Sequence, residues 1–383
     1  MQSCKFIPTS LPMPFFKENI TLRTGSTSFR PVLIHKRSLI WLAAALLALI
    51  IKEILPSFFW DYWYYRGFFV GVRQVYDFLL GWSPIPMIYV VLSIILVRTA
   101  RWVGDRSKGW IYLISRALGG VGALVSIFYV SWGFNYGQIS LQERLGFDRS
   151  LTDKEDIEAE FRRATDALRQ EAEKLPDHLT RDNAIVGFDV VDHDLRQDVT
   201  DALSKLNIPN KGRVRVRQPW PNGFLLRWST AGIYIPQTGE GHIDRGLLSV
   251  QKPFTIAHEM AHGYGVADEG ACNFIAWLAC SQSRDQWVRF GGALTYWRYA
   301  AAEMPYDSVS PVLHTFPPVV MRAMNLVKEN DKKYPDILPR VRDAIYASYL
   351  KRHGVKEGLR SYNEVVIMVQ QYLRKTSGGS MPE

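Results

Sequence analysis

The chain has 383 residues and 47% apolar content, enough for a sizeable core and two or three structural units. Its formal charge of +9 is unevenly placed: residues 1–132 hold 14 Lys and Arg against 5 Asp and Glu, while residues 133–383 hold 32 of each. The balanced second part argues against nucleic acid as a partner, and the basic first third points to charge flanking a lipid bilayer.

Three stretches are apolar enough to span a bilayer, which takes about 20 mainly apolar residues. They lie near 38–55, 78–97 and 110–134. The second is interrupted by Pro84 and Pro86, and the third carries one charge, Arg116. No cleavable signal peptide is expected, because the first apolar run begins after a tail of 37 residues and is followed by no clear small-residue cleavage site. The tail, 1–37, has six Lys and Arg, and the loop Arg98–Gly109 has four, whereas Lys52–Asp77 has three balanced by three acids. Both basic segments therefore belong in the cytoplasm, leaving residues 135–383 as an extracytoplasmic domain of a multi-pass cell-membrane protein. The aromatic run "SFFWDYWYYRGFF", 57–69, reads as an interfacial belt between the first two spans, with an aromatic docking surface as its rival.

The outer domain reads as α+β and mainly helical. Thr152 with Glu155 forms a capping-box pattern, and Ile157, Phe161, Ala164, Leu168 and Leu175 recur at helical spacing up to Pro176. A second amphipathic stretch runs from Leu195 to Leu206. "RVRVRQPW", 213–220, alternates as a strand does, and a turn at Pro221, Asn222 and Gly223 leads into a strand-like "FLLRWSTAGIYIP", 224–236. Beyond Pro253 helices dominate, ending with one from Leu338 to Arg352 and another from Ser361 to Arg374. Residues 1–30 and 376–383 are expected to be disordered. Cys272 and Cys280, eight apart on one helix and so about 12 Å apart, are too distant for a disulfide.

The motif that carries chemistry is "FTIAHEMAHGYGVADEGACNFIAWLAC", 254–280. Positions i and i+4 of a helix share a face, so His258 and His262 reach one ion, and Glu259 reaches water beside it. With 8 His and 16 Glu in the chain, about 0.007 HExxH matches are expected by chance. A third ligand comes from Asp268, at the spacing HExxHxxGxxD, or from Glu269, which opens "EGACN". Glu269 is favoured because it projects from the first turn of a second helix packed on the first. Asn273, four residues on, faces the same way as a partner for a ligating histidine. Two imidazoles and a carboxylate suit Zn2+. Tyr296, Tyr299, His314 and Tyr362 are candidate donors to an oxyanion. Glu240 and His242 read as well as a turn surface as they do as substrate contacts.

The segments "SWGFNYGQISLQERLGF" (131–147), "AGIYIPQTGEGHID" (231–244), "FTIAHEMAHGYG" with "DEGACNFIAWLAC" (254–280) and "YLKRHGVKEGLRSYNEVV" (349–366) resemble the bacterial membrane proteins grouped as domain of unknown function 3810. The resemblance implies a zincin-like metallopeptidase fold of the glutamate-zincin type, with His258, His262 and Glu269 at the metal positions and Glu259 at the catalytic one. The chain departs from that family's pattern at Ala271, where an acid is common, and at Cys272, where alanine is usual. The expected function is a membrane-anchored zinc metallopeptidase that hydrolyses polypeptide substrates with Glu259 as general base. The alternative is a catalytically silent zincin fold that binds zinc or peptide in envelope assembly. An intramembrane protease is disfavoured, because the motif follows the apolar spans by more than 110 residues.

Overall fold

The computed structural model describes residues 36–104, 109–148, 153–182, 192–337, 339 and 361–377. The first third is helical: α1 (Lys36–Ile54), α2 (Ser57–Leu80, π-helical over Trp60–Phe68), α3 (Met87–Gly104) and α4 (Trp110–Ser131). α3 and α4 are each long and apolar enough to cross a membrane, and α1 with α2 makes a third only if that pair, bent by 111°, counts as one span. The span expected over 78–97 is corrected. Helix α2 stops at Leu80 and the chain turns through Gly81–Pro86, because Pro84 and Pro86 lack the N–H a continuing helix needs. α3 has no buried residue. α1 and α4 run side by side in the same direction: Gly119 meets Ser38, and Gly122 meets the Trp41 backbone, so these two glycines set how closely the helices approach.

One face of the aromatic run packs against the protein and the other is exposed. Trp60, Tyr64, Tyr65 and Phe69 are buried, while Phe58, Tyr62, Trp63 and Phe68 are exposed. Trp60 stacks on Phe134 with ring centroids 4.5 Å apart, and the Tyr64 hydroxyl donates to the carbonyls of Tyr129 (3.3 Å) and Val130 (3.0 Å).

The rest of the chain forms α5 (Lys154–Glu173), α6 (Asp192–Lys205), α7 (Lys252–Gly263), α8 (Glu269–Ser281), α9 (Gln286–Ala302), α10 (Tyr306–Leu313), α11 (Pro318–Lys333) and α12 (Ser361–Ser377), with one three-stranded sheet. The cap of α5 lies one residue later than expected: Asp153 accepts from the Asp156 N–H (2.9 Å), and Asp156 accepts from the Asp153 N–H (3.2 Å). α8 is buried at every residue from Gly270 to Cys280 and packs on α6, α7, α9 and α12; a helix apolar on all sides is the centre of its domain. Cys272 and Cys280 are free and buried on it. The helix expected over 338–352 lies outside the described residues, apart from the single helical position 339, as does the tail expectation for 1–30. Residues 376 and 377 continue α12 and are not disordered.

The sheet is short. β1 (Arg215–Arg217) pairs in parallel with β3 (Glu240–Ile243), and β2 (Gly232–Ile235) pairs antiparallel on the other side, giving the order β1-β3-β2. Only four residues of the expected 224–236 strand are extended, because Leu226–Trp228 winds into a 3-10 turn. Glu240 and His242 are corrected from a turn surface to a buried strand. Val216, Gly232 and Gly241 face α7. Of the arginines of "RVRVR", which alternation places on the opposite face, Arg213 is exposed, but Arg215 donates to the Leu80 carbonyl and Arg217 to the Ser83 carbonyl, both at 2.7 Å. Glu240, fully buried between them, lies 3.1 Å from Arg217 and 3.5 Å from Arg215, and accepts the Met87 N–H at 2.8 Å. That bond caps the start of α3, where backbone donors have no intrahelical partner. The sheet therefore lies between α7 and the turn that enters α3.

Removing one partner of a buried charge group leaves the others desolvated, at a cost of about 3–5 kcal/mol. Glu240→Gln is expected to lower the thermal midpoint of the detergent-purified chain clearly, while Glu329→Gln, at an exposed position, leaves it unchanged. Equal midpoints for the two variants would remove the role given to Glu240.

Candidate metal centre

α7 begins with Pro253 in its first turn, where a missing N–H costs nothing. It ends at Gly263, and Gly265 then takes a φ of +92° with Phe69 and Tyr65 against it, so a side chain there is excluded twice over. The reversal brings Asp268 to the N-cap of α8, where its carboxylate accepts the Ala271 N–H at 2.7 Å. Glu269, the next residue, is left to point back at α7. Its carboxylate oxygens stand 3.2 Å from His258 Nε2 and 3.6 Å from His262 Nε2, and the two Nε2 atoms are 3.1 Å apart. The two carboxylates that compete for the third position are thus separated by geometry: one caps, the other converges on the imidazoles.

The hydrogen bonds behind the rings fix which nitrogen carries the proton. His262 Nδ1 lies 2.8 Å from the Val266 carbonyl, an acceptor only, so Nδ1 is the donor there and Nε2 is the nitrogen turned toward Glu269. His258 Nδ1 donates to Asn273 Oδ1 at 2.8 Å, and the same oxygen accepts from the Tyr299 hydroxyl at 3.5 Å. Asn273 thus sits behind His258, as its spacing from Glu269 implies. Two Nε2 atoms and a carboxylate then face one point, an arrangement that calls for a positive charge among them: a metal ion or, without one, a proton on the His262 ring. Bonds of about 2.0–2.2 Å to a tetrahedral ion put neighbouring donors about 3.3–3.5 Å apart; the three separations found here bracket that value. The residues present fit a divalent metal, and the donor set of two imidazoles and a carboxylate fits zinc.

The local field agrees. Partial burial, which works to raise Glu269, is outweighed by His262 and His258, and its carboxyl is held well below the usual range. Burial works to lower His262, yet Cys272 and Glu269 hold it well above the ordinary imidazole value. Cys272 lies 3.3 Å behind His262, on the Nδ1 side, and burial pushes its thiol up to about 12. It stands behind the ring, away from the point on which the two Nε2 atoms and Glu269 converge.

Glu259 is buried where the sheet meets α7. A Cβ on Gly232 would lie 2.5 Å from Glu259 Oε1, and one on Gly241 would lie 2.8 Å from Glu259 Cβ. Two glycines on the same face of β2 and β3, two register positions apart, make room for this side chain. Burial pushes its carboxyl up to about 7, against the pull of His258 and His262, and Oε2 has no hydrogen-bond partner among the described residues. Of the proposed oxyanion donors, Tyr296 is engaged elsewhere: its hydroxyl donates to Glu160 Oε1 at 2.5 Å. His314 is exposed at the end of α10, the Tyr362 side chain lies outside the described residues, and only Tyr299 adjoins the centre.

Sequence reasoning missed four contributors. Glycines inside strands mark close backbone approach, and Gly232 and Gly241 offered that signal. Trp132 offered none: its Nε1 donates to the His262 carbonyl at 2.8 Å, tying the residue after α4 to the backbone of a metal-position histidine. Gln138 does the same to the Gly265 carbonyl at 2.8 Å.

A family model described as Protein of unknown function (DUF3810) matches residues 64–369. No curated protein and no solved structure matches the chain.

Two outcomes test the centre without reference to activity. Asn273→Ala removes the group that orients His258, and zinc affinity measured by chelator competition is expected to fall about 10–100-fold; an unchanged affinity would show that Asn273 has no such role. The second concerns Glu259 in metal-stripped protein. Its folded-state pKa of about 7 exceeds the unfolded value of 4.5, so its contribution is complete below pH 4.5 and is lost as pH rises through 7, by up to about 3 kcal/mol. Metal-free Glu259→Gln is expected to melt above metal-free wild type at pH 8 and together with it at pH 5; parallel curves would contradict the buried carboxyl.

Proposed function

The chain belongs to the family described as Protein of unknown function (DUF3810), a description that states no activity, and from the site itself we propose that it is a membrane-anchored, zinc-dependent peptidase. The observation that carries this reading is the convergence of His258, His262 and Glu269 on one point with Glu259 buried beside them. Metal binding alone has no use for a second carboxylate held at such a site with Oε2 unpartnered among the described residues.

His258, His262 and Glu269 would hold the ion, with Asn273 and the Val266 carbonyl fixing the two rings. When bound, zinc supplies the Lewis acidity that activates water and polarises a scissile carbonyl. Glu259 serves as the general base and then as proton donor to the leaving nitrogen; burial brings its affinity for a proton close to neutrality, where one group does both best. β2 is one of the two edge strands of the described sheet, and Gly232, its first residue, lies against Glu259. An extended polypeptide that adds to this edge brings its backbone past the carboxylate, which supports a peptide as the substrate.

The membrane reading is likewise supported by packing. α1 and α4 lie parallel, so they cross in the same direction, and one return crossing, α3, must come between them. Three crossings with a cytoplasmic basic tail leave the domain that follows α4 on the extracytoplasmic side.

The decisive measurement is zinc content and peptide hydrolysis of the detergent-purified chain beside Glu259→Gln. The variant is expected to keep its zinc and lose hydrolysis by at least about 100-fold, the upper part of the range for a lost acid–base group being about 10⁴. Hydrolysis equal to wild type would reject the assigned base, and a zinc-free wild type would reject the centre.

A further inference from the structure

The segment that leads into the edge strand presents large apolar side chains outward: Trp220 is 72% exposed, Phe224 57% and Trp228 40%. It is not a loose loop. The buried carboxylate of Asp244 accepts the N–H groups of Gly223 (2.7 Å), Gly246 (2.6 Å), Leu225 (2.7 Å) and Leu226 (3.1 Å), and the Ile337 N–H donates to the Arg227 carbonyl at 2.9 Å. A backbone so firmly organised holds its aromatic side chains in place, and a fixed, exposed apolar patch marks a surface that something covers.

What covers it follows from its neighbour. Tyr89 is in the first turn of α3, about 3 Å along the axis from Met87. Its hydroxyl accepts the Trp220 N–H at 2.7 Å and donates to the Trp220 carbonyl at 3.2 Å. Trp220 is thereby fixed at the level where α3 begins. Phe78 at the end of α2, and Trp82 and Ile85 on the turn that enters α3, are exposed as well. α3 buries no residue fully and is exposed from Leu92 to Arg101, so as a span it meets lipid just beyond its first turn, beside Tyr89 and the Trp220 that Tyr89 holds.

We propose that the 220–228 segment docks into the interfacial layer of the bilayer, with Trp220, Phe224 and Trp228 as its anchors. The partner is the membrane surface, and the suited chemistry is the amphipathic ring at headgroup depth. This rests on reading α3 as a span and is independent of the metal. Its consequence for that site is steric: the anchored segment continues directly into β2, so the candidate cleft opens beside the bilayer and takes polypeptide that lies close to the membrane.

The test places a photo-crosslinking phenylalanine analogue at one position at a time in the full chain, reconstituted in lipid nanodiscs, and reads lipid adducts by mass spectrometry. Leu96 on α3 reports the span, and Tyr306, as exposed as Trp220 at 76%, gives the background. Adducts at 96, and at 220 and 224 several-fold above those at 306, are expected. Adducts at 96 with only background at 220 and 224, or crosslinks there to protein in place of lipid, would overturn the docking. Absence at 96 would overturn it too, by removing the span it stands on. No readout involves zinc or hydrolysis, so failure here is distinct from failure of the peptidase reading.

Discussion

Two imidazole nitrogens face each other 3.1 Å apart, and each ring is held by an acceptor on its far side. A carboxylate stands opposite both, so the three groups call for a positive charge between them. This convergence of donors is what the rest of the domain maintains. It persists because each ring is held from behind by an acceptor that belongs to rigid structure: the Val266 carbonyl in the turn after α7, and Asn273 on the most deeply buried helix. A site arranged in advance for a cation costs stability when empty and returns it when filled, so metal and fold are linked.

The sheet beside the site has two tasks on its two faces. Toward α7 it presents Val216, Gly232 and Gly241, side chains small enough for Glu259 to be enclosed. Toward the membrane segment it presents Arg215, Arg217 and Glu240, which bind the carbonyls at Leu80 and Ser83 and the N–H of Met87. Three short strands would not be stable alone. Here they are fixed from both sides, so β3, which borders Glu259, also caps α3.

A second tie runs through α4. Trp132 follows its last turn and donates to the His262 carbonyl, while Tyr65 and Phe69 of the aromatic belt fill the space beside Gly265. The C-terminal end of α7 is thus seated on the apolar segments, not merely tethered to them. That placement accounts for an aromatic run with one buried and one exposed face: one side of the helix serves as a floor for the domain and the other is left uncovered.

From residues alone the spacing of His258, Glu259 and His262, the choice of Glu269 from the first turn of the next helix, the partner role of Asn273, the apolar stretches and the family resemblance were all legible, because each depends on local periodicity or on contacts between adjacent helical turns. The start of α5, the limits of the second apolar helix and the extent of β2 were off by one to several residues, since caps and proline breaks compete locally and packing selects among them. What only the tertiary structure decided involves partners far apart in sequence. Alternation in "RVRVR" shows that arginines share a face, but not that backbone carbonyls of the α3 entry turn take the place of water there. Glu240 and His242 read as surface until β1 and β2 closed around them. Trp132 carries no periodic signal that it meets a carbonyl 130 residues away. A one-dimensional pattern records which side chains point together; which long-range groups satisfy them is set when the chain closes and every buried donor must find an acceptor.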